Sequence, residues 1–197
     1  AYGDGVYKST DSGVTWENVG LKNSEHISKI IVDPRNSNVV YVAAYGPLWS
    51  DKGDRGVYKT IDGGKTWKNI HFISNYSGAA DLIMDPSNPD VLYLANHQRR
   101  RHVFTYVGGG KESAVFKTEN GGETWDELKN GLPSGKMGRV GLAISPVNTK
   151  YVYAIVEAEG DAGGFFRSTN SGASWEKRSD YSSSGNYYQE IYCDLTD

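Results

Sequence analysis

Ser9-Thr10-Asp11-Ser12-Gly13-Val14-Thr15-Trp16 is the stretch on which the reading of this chain turns. The phrase returns as Thr60-Ile61-Asp62-Gly63-Gly64-Lys65-Thr66-Trp67, as Thr118-Glu119-Asn120-Gly121-Gly122-Glu123-Thr124-Trp125 and as Ser168-Thr169-Asn170-Ser171-Gly172-Ala173-Ser174-Trp175. The copies start at residues 9, 60, 118 and 168, so they stand 51, 58 and 50 residues apart. Periods of that size mark repeat architectures. A short Tyr/Val/Phe run precedes each copy and a Trp-led run follows it, so each copy reads as a hairpin turn between two strands. The Asp or Asn accepts hydrogen bonds from its own turn, and the Gly two places on takes φ > 0 without steric penalty. The Trp brings the largest apolar area of the unit, about 2–3 kcal/mol if buried.

A second element lies between the copies. Ile30-Ile31-Val32-Asp33-Pro34-Arg35-Asn36-Ser37-Asn38-Val39-Val40-Tyr41-Val42-Ala43 recurs in outline at residues 82–95 and 142–154. Asp-Pro or Ser-Pro with a following Ser or Asn is a turn, and its flanks are short apolar runs that suit strands buried on both faces. Each repeat therefore holds four strands. The pattern predicts an all-β chain, a β-propeller of four-stranded antiparallel blades. The predicted blades run over residues 27–71, 79–128 and 138–178. Part of an earlier blade occupies 1–20, and the start of a next one occupies 187–197 with a first strand at Gln189–Asp194. On this reading the chain is a portion of a longer propeller, since a ring cut inside its blades would expose sheet edges.

The repeated phrase matches the Asp-box (BNR) motif, S/T-x-D-x-G-x-T/S-W, and the chain resembles the Asp-box β-propeller superfamily of sialidases, xyloglucanases and sortilin-type receptors. The likeness is greatest to large bacterial secreted propellers labelled sortilin-like or glycosyl-hydrolase-like, through Arg55-Gly56-Val57-Tyr58-Lys59-Thr60, the run at residues 78–86 and Phe165-Phe166-Arg167-Ser168-Thr169. Asn120 and Asn170 depart from the motif but still accept a hydrogen bond. The resemblance implies structural roles for Asp11, Gly13, Trp16, Asp62, Gly64, Trp67, Asn120, Gly122, Trp125, Asn170, Gly172 and Trp175. It also implies export, so a secreted, periplasmic or cell-surface location in a bacterium is expected.

Composition narrows the function. A formal net charge of −3 argues against general nucleic-acid or anionic-membrane binding. No apolar run is long enough for a membrane-spanning helix. The first residues lack a secretory leader pattern, so any signal has been removed or lies outside this chain. The single cysteine, Cys193, excludes an internal disulfide and reads as a small buried hydrophobe. Asn75-Tyr76-Ser77 is a glycosylation sequon, informative only in a eukaryote.

Antiparallel order places the Asp boxes and the Asp-Pro turns on one face, and the irregular second-to-third and blade-linking loops on the other. Variable loops on a rigid scaffold are where binding sites sit. Trp49, with Asp51 and Asp54, could make a sugar platform or fold back over the blade edge. The loop at residues 96–111 gathers Arg99, Arg100, Arg101 and Tyr106, suited to a carboxylate or sulfate or simply to solvent. His97 and His102 in that loop lack an obvious third ligand, so no metal site is expected. Glu157 and Asp161, with Asp51 and Asp54, are the candidate carboxylates that glycoside hydrolysis would need about 5–9.5 Å apart. Tyr181, Tyr187 and Tyr188 lie in a Ser/Gly/Tyr-rich linker of the kind that makes adaptable contacts.

No nucleophile, metal or cofactor constellation is visible, and no cofactor is expected. The sequence is read as a non-catalytic binding or scaffold module for a protein segment or a glycan. The alternatives are a glycoside hydrolase like the xyloglucanases and an accessory subunit of a larger complex. Sialidase chemistry is disfavoured because only one blade offers an arginine-rich loop.

Overall fold

The computed structural model describes residues 2–183 and 188–196. Strands β1 (Val6–Lys8) and β2 (Glu17–Gly20) form a two-stranded sheet, and β3 (Ile27–Val32), β4 (Val40–Ala44), β5 (Gly56–Thr60) and β6 (Lys68–His71) form a four-stranded one in that order. The third sheet has β7 (Ser77–Met84), β8 (Leu92–Arg101), β10 (Ala114–Thr118) and β11 (Asp126–Leu128), with β9 (Tyr106–Gly108) paired to the end of β8. The last has β12 (Met137–Ile144), β13 (Val152–Ala158), β14 (Gly164–Ser168) and β15 (Glu176–Ser179). All pairings are antiparallel. The one helical element among the described residues is a 3-10 turn, Gly160–Ala162.

The sheets stack face to face, and strand alternation decides what each interface contains. Along β8, Leu92 and Leu94 point to the second sheet and pack with Tyr41, Ala43 and Val57. Tyr93 and Ala95 point the other way and pack with Val140, Leu142, Val152 and Ala154. The apolar runs are therefore continuous because both faces are covered. Innermost strands β3 and β12 each adjoin β7. Asp81 on β7 ties all three, with Lys29 Nζ 3.6 Å from its Oδ1 and Leu142 N–H donating to its Oδ2 at 2.9 Å. This is the radial layout of propeller blades.

Each Asp box closes its own corner. In the second, Asp62 N–H and Gly64 N–H donate to Thr60 Oγ1 at 3.3 and 3.0 Å, and Thr66 N–H donates to Asp62 Oδ1 at 2.9 Å. The Thr66 hydroxyl donates to Asp62 Oδ2 at 2.6 Å. In the third box that last bond runs backwards, with Asn120 Nδ2 donating to Thr124 Oγ1 at 2.9 Å, and Asn170 does the same to Ser174. Asn thus preserves the geometry by reversing one polarity. The box glycines Gly13, Gly64, Gly122 and Gly172 sit at φ between 85° and 96°, a backbone that L side chains rarely adopt.

The corners also join neighbouring sheets. A Cβ on Gly64, Gly122 or Gly172 would meet Val19, Ile70 or Leu128, the outermost strand of the preceding sheet in each case. Lys59 Nζ and the Tyr41 hydroxyl both donate to Gly121 O, at 2.8 and 3.2 Å, and the Tyr93 hydroxyl donates to Ser171 O at 3.0 Å. Corner and Asp-Pro turn share a face, because Gly63, Gly121 and Ser171 donate to the carbonyls of Asn38, Asp90 and Lys150.

Three expectations need correction. Trp16 is 62% exposed and bonds only its own turn through Gly13 O, because no outer strand of an earlier sheet lies beneath it among the described residues. Residues 96–101 are not loop but the extension of β8, carried past the sheet by pairing with β9. No strand is formed at Gln189–Asp194; this segment crosses β12 so closely that a Cβ on Gly141 would lie 2.0 Å from Gln189 O. Cys193, at its end, is only half-buried.

Candidate functional site

The long loops meet on the face opposite the boxes. The β4–β5 loop is wound around one guanidinium: Arg55, 1% exposed, donates from Nη1 to Tyr45 O at 3.2 Å and from Nη2 to Pro47 O and Ser50 O, the latter at 2.5 Å. Burial, then the charges of Arg99 and Arg100, brings the Arg55 pKa down to about 10. Three carbonyls on one rigid fork fix the loop that carries Trp49, which is 49% exposed.

The same loop is stitched to the β8–β9 hairpin. Arg101 N–H donates to Leu48 O at 3.0 Å and Arg99 N–H to Tyr76 O at 3.1 Å, so the loops continue the edge that β7 leaves. Tyr45 reaches across the bare backbone of Gly78, where a Cβ would lie 2.2 Å from its carbonyl oxygen. Its hydroxyl shares a hydrogen bond with His97 Nδ1, and the Arg99 guanidinium lies 3.5 Å from its ring centroid. Burial pushes the Tyr45 hydroxyl up to about 12 and the His97 ring down to about 4, so both are neutral at pH 7. Arg101 covers the Tyr106 ring at 4.8 Å.

The candidate carboxylates stand on two separate segments of the chain. Asp54 accepts Asn23 N–H at 3.2 Å, Glu157 accepts Arg139 N–H at 3.2 Å, and Asp161 receives Lys177 Nζ through its carbonyl at 2.7 Å. Asp51 stands exposed on the Trp49 loop. Asp51 and Asp54 belong to the β4–β5 loop of the second sheet, and Glu157 and Asp161 to β13 and the 3-10 turn after it in the last sheet. Tyr181 and Tyr188 are exposed, at 68% and 74%, near a linker anchored by Ser182 Oγ donating to Val156 O at 3.2 Å. Tyr187 lies outside the described residues.

His97 is inside and His102 is on the hairpin turn, its N–H donating to Thr105 O at 2.8 Å. Among the described residues no group of three or more His, Cys, Asp or Glu is placed to hold a metal ion. Sequence reasoning missed Tyr45 and Arg55. The available signal for Arg55 was a cation immediately before the apolar strand β5, in a position where burial demands partners.

Radial four-stranded sheets with Asp-box corners between their third and fourth strands make this chain an Asp-box β-propeller. Residues 4–132 match the family model described as Sortilin-Vps10 (sortilin, neurotensin receptor 3), and the chain belongs to that family. A xyloglucanase of Paenibacillus sp is 28% identical over 140 residues, 66% of this chain and 13% of that protein. Xyloglucanase Xgh74A of Acetivibrio thermocellus is 24% identical over 193 residues, 92% of this chain and 21% of that protein. The chain thus spans a small part of the curated relatives it matches. Among solved structures, an ancestral GH74 enzyme has a TM-score of 0.66 at 24% identity, over 90% of this chain and 22% of that one. The Niastella koreensis GH74 enzyme has a TM-score of 0.64 at 23% identity, over 88% and 26%. The fold is that of a propeller related to xyloglucanase-like proteins. No helix among the described residues is long and apolar enough to cross a membrane.

Proposed function

We propose that this chain is a binding portion of a larger exported propeller, and that its long-loop face takes up a segment of polysaccharide. The observation that carries this reading is the Trp49 loop. An aromatic side chain is left half-exposed on a loop whose backbone is fixed by Arg55 and by Arg101. Preorganised aromatic surface is what sugar recognition needs, since little ordering entropy is then lost on binding. The named activity of the xyloglucanase relatives supports a glycan as the ligand. An extracellular setting follows from the same proposal, because a polymer of that kind is met outside cells.

Hydrolysis is the second reading, favoured by the relatives' names. Within this chain it is the weaker one, because Asp54 and Glu157 are each engaged with a backbone N–H. The test is titration of the chain with xyloglucan and other β-glucan oligosaccharides. Trp49→Ala should weaken binding about tenfold or more, a loss of about 1.4 kcal/mol. Absence of binding to every glycan, or turnover that Asp51→Asn or Glu157→Gln abolishes, would overturn it.

A further inference from the structure

We propose that Arg100, with Arg99 and Arg55 beside it, is a carboxylate-binding site, and that the glycan taken up by the loop face carries uronic acid residues. This deepens the glycan-binding reading above and rests on it.

The argument starts from partners that are missing. Arg100 is half-buried, and its Nε and Nη1 are shielded from solvent without a hydrogen-bond partner among the described residues. Nε of Arg99 and Nε of Arg55 are in the same condition. None of the ion pairs among the described residues includes Arg55, Arg99, Arg100 or Arg101. Buried donors in native proteins are paired almost without exception, and those on a charged group cost most when left open. Here several lie together on like-charged groups that repel one another.

The acids nearby do not answer them. Glu25 and Asp51 act on Arg55 only at a distance, after burial and the two arginines. Arg55 spends both Nη groups on carbonyls and Arg99 lies on the Tyr45 ring with Nη2 3.5 Å from Gly46 O. Arg100 keeps both Nε and Nη1 uncommitted. A planar guanidinium matches a planar carboxylate through two parallel N–H donors, and desolvation makes such a contact stronger than it would be in water. The Trp49 loop is joined to this strand next to Arg100, through Arg101 N–H donating to Leu48 O at 3.0 Å, and on this proposal Trp49 takes the sugar ring that bears the carboxylate.

The test is calorimetric titration of the chain with oligogalacturonate and with a neutral xyloglucan oligosaccharide of similar length. The acidic sugar should bind about tenfold tighter, with an advantage that shrinks as NaCl is raised. Arg100→Gln should abolish the advantage of the acidic sugar. Its Tm should equal or exceed that of the parent, because the variant removes one unpaired charge from a like-charged cluster. Arg100→Lys, which keeps charge but not the fork, should fall between. Equal affinity for acidic and neutral sugars would overturn this proposal and leave the glycan reading standing. Binding of a Glu-rich peptide with no binding of any glycan would overturn both. A lowered Tm in Arg100→Gln with acidic-sugar affinity unchanged would assign Arg100 a purely structural role.

Discussion

The two faces of the disc handle polar groups in opposite ways. On the corner face the leading Ser or Thr and the Asp or Asn of each box are used at least twice within their own turn, although the buried indole nitrogens of Trp125 and Trp175 have no partner among the described residues. Ser168 Oγ, for example, receives Asn170 N–H and Gly172 N–H while donating to Asn170 Oδ1. The arrangement is repeated four times with two chemistries, Asp or Asn. On the loop face nothing repeats: Arg55 spends both Nη groups on carbonyls and leaves Nε open, Arg99 is stacked, and Arg100 has Nε and Nη1 without a partner among the described residues. Groups that satisfy each other locally build a scaffold, whereas groups whose partners are lacking imply something else to bind. Repetition therefore belongs to stability here, and irregularity belongs to recognition.

The sharpest contrast within the scaffold is between its two terminal tryptophans. Trp175 is 6% exposed and belongs to the core between the third and fourth sheets, and its backbone N–H donates to Asn130 O at 2.9 Å. Trp175→Ala should cost about 3–5 kcal/mol, from lost transfer energy plus the cavity left behind. Trp16→Ala, at a site 62% exposed, should change stability by about 0.5 kcal/mol or less. Chemical denaturation of both variants checks this; equal losses would mean that the box tryptophan acts through its own turn and not by joining sheets.

A smaller loss is expected on the loop face. Arg55→Met fills similar space but removes the donors to Tyr45 O, Pro47 O and Ser50 O. Buried carbonyls left without donors should cost about 2–3 kcal/mol in total. The loop, not the sheet, should respond, with faster amide exchange at residues 46–50, altered Trp49 fluorescence and weakened glycan binding. If exchange quickens equally in β4 and β5, the division between scaffold and loop face fails.

Legibility followed the range of the interactions. The corners could be read because Ser9, Asp11, Gly13 and Thr15 satisfy one another within a few residues. The four-strand repeat followed from the apolar runs that flank them. The β8–β9 hairpin could not be read, because Gln98-Arg99-Arg100-Arg101 has the composition of a solvated loop. It is a strand because the carbonyls of Tyr76 and Leu48, from distant segments, receive its N–H groups. Gln189–Asp194 failed in the reverse direction: its apolar alternation suits a strand, but no ladder partner is present among the described residues. Of the candidate site, the loops were found by their irregularity, while the Arg55 anchor and the Tyr45–His97 pair depend on contacts that no local pattern announces.

The smallest effect separates the two kinds of corner. The hydroxyl and then the backbone N–H of Thr15, followed by Ser9, hold the Asp11 carboxyl down at about 2, and the matching groups of the second box hold Asp62 below the usual carboxylate range. An Asp in the unfolded chain titrates near 3.9. Since the folded pKa is the lower one, these two carboxylates stabilise the native state above about pH 4, and that contribution fades as pH falls toward about 2. Asn120 and Asn170 carry no such dependence. Both Asp boxes are exposed and screened, so the effect should be a modest decline in Tm over this window, confined to the first two corners. The double variant Asp11→Asn, Asp62→Asn should keep the fold at pH 7, because Asn120 shows how the amide reverses the bond to the Thr hydroxyl. Its Tm profile between pH 4 and pH 2 should be flatter than that of the parent. An unchanged acid slope would place the acid-sensitive carboxylates elsewhere, with Asp33 and Asp90, both held down by hydrogen bonds from Arg35, as the next to vary.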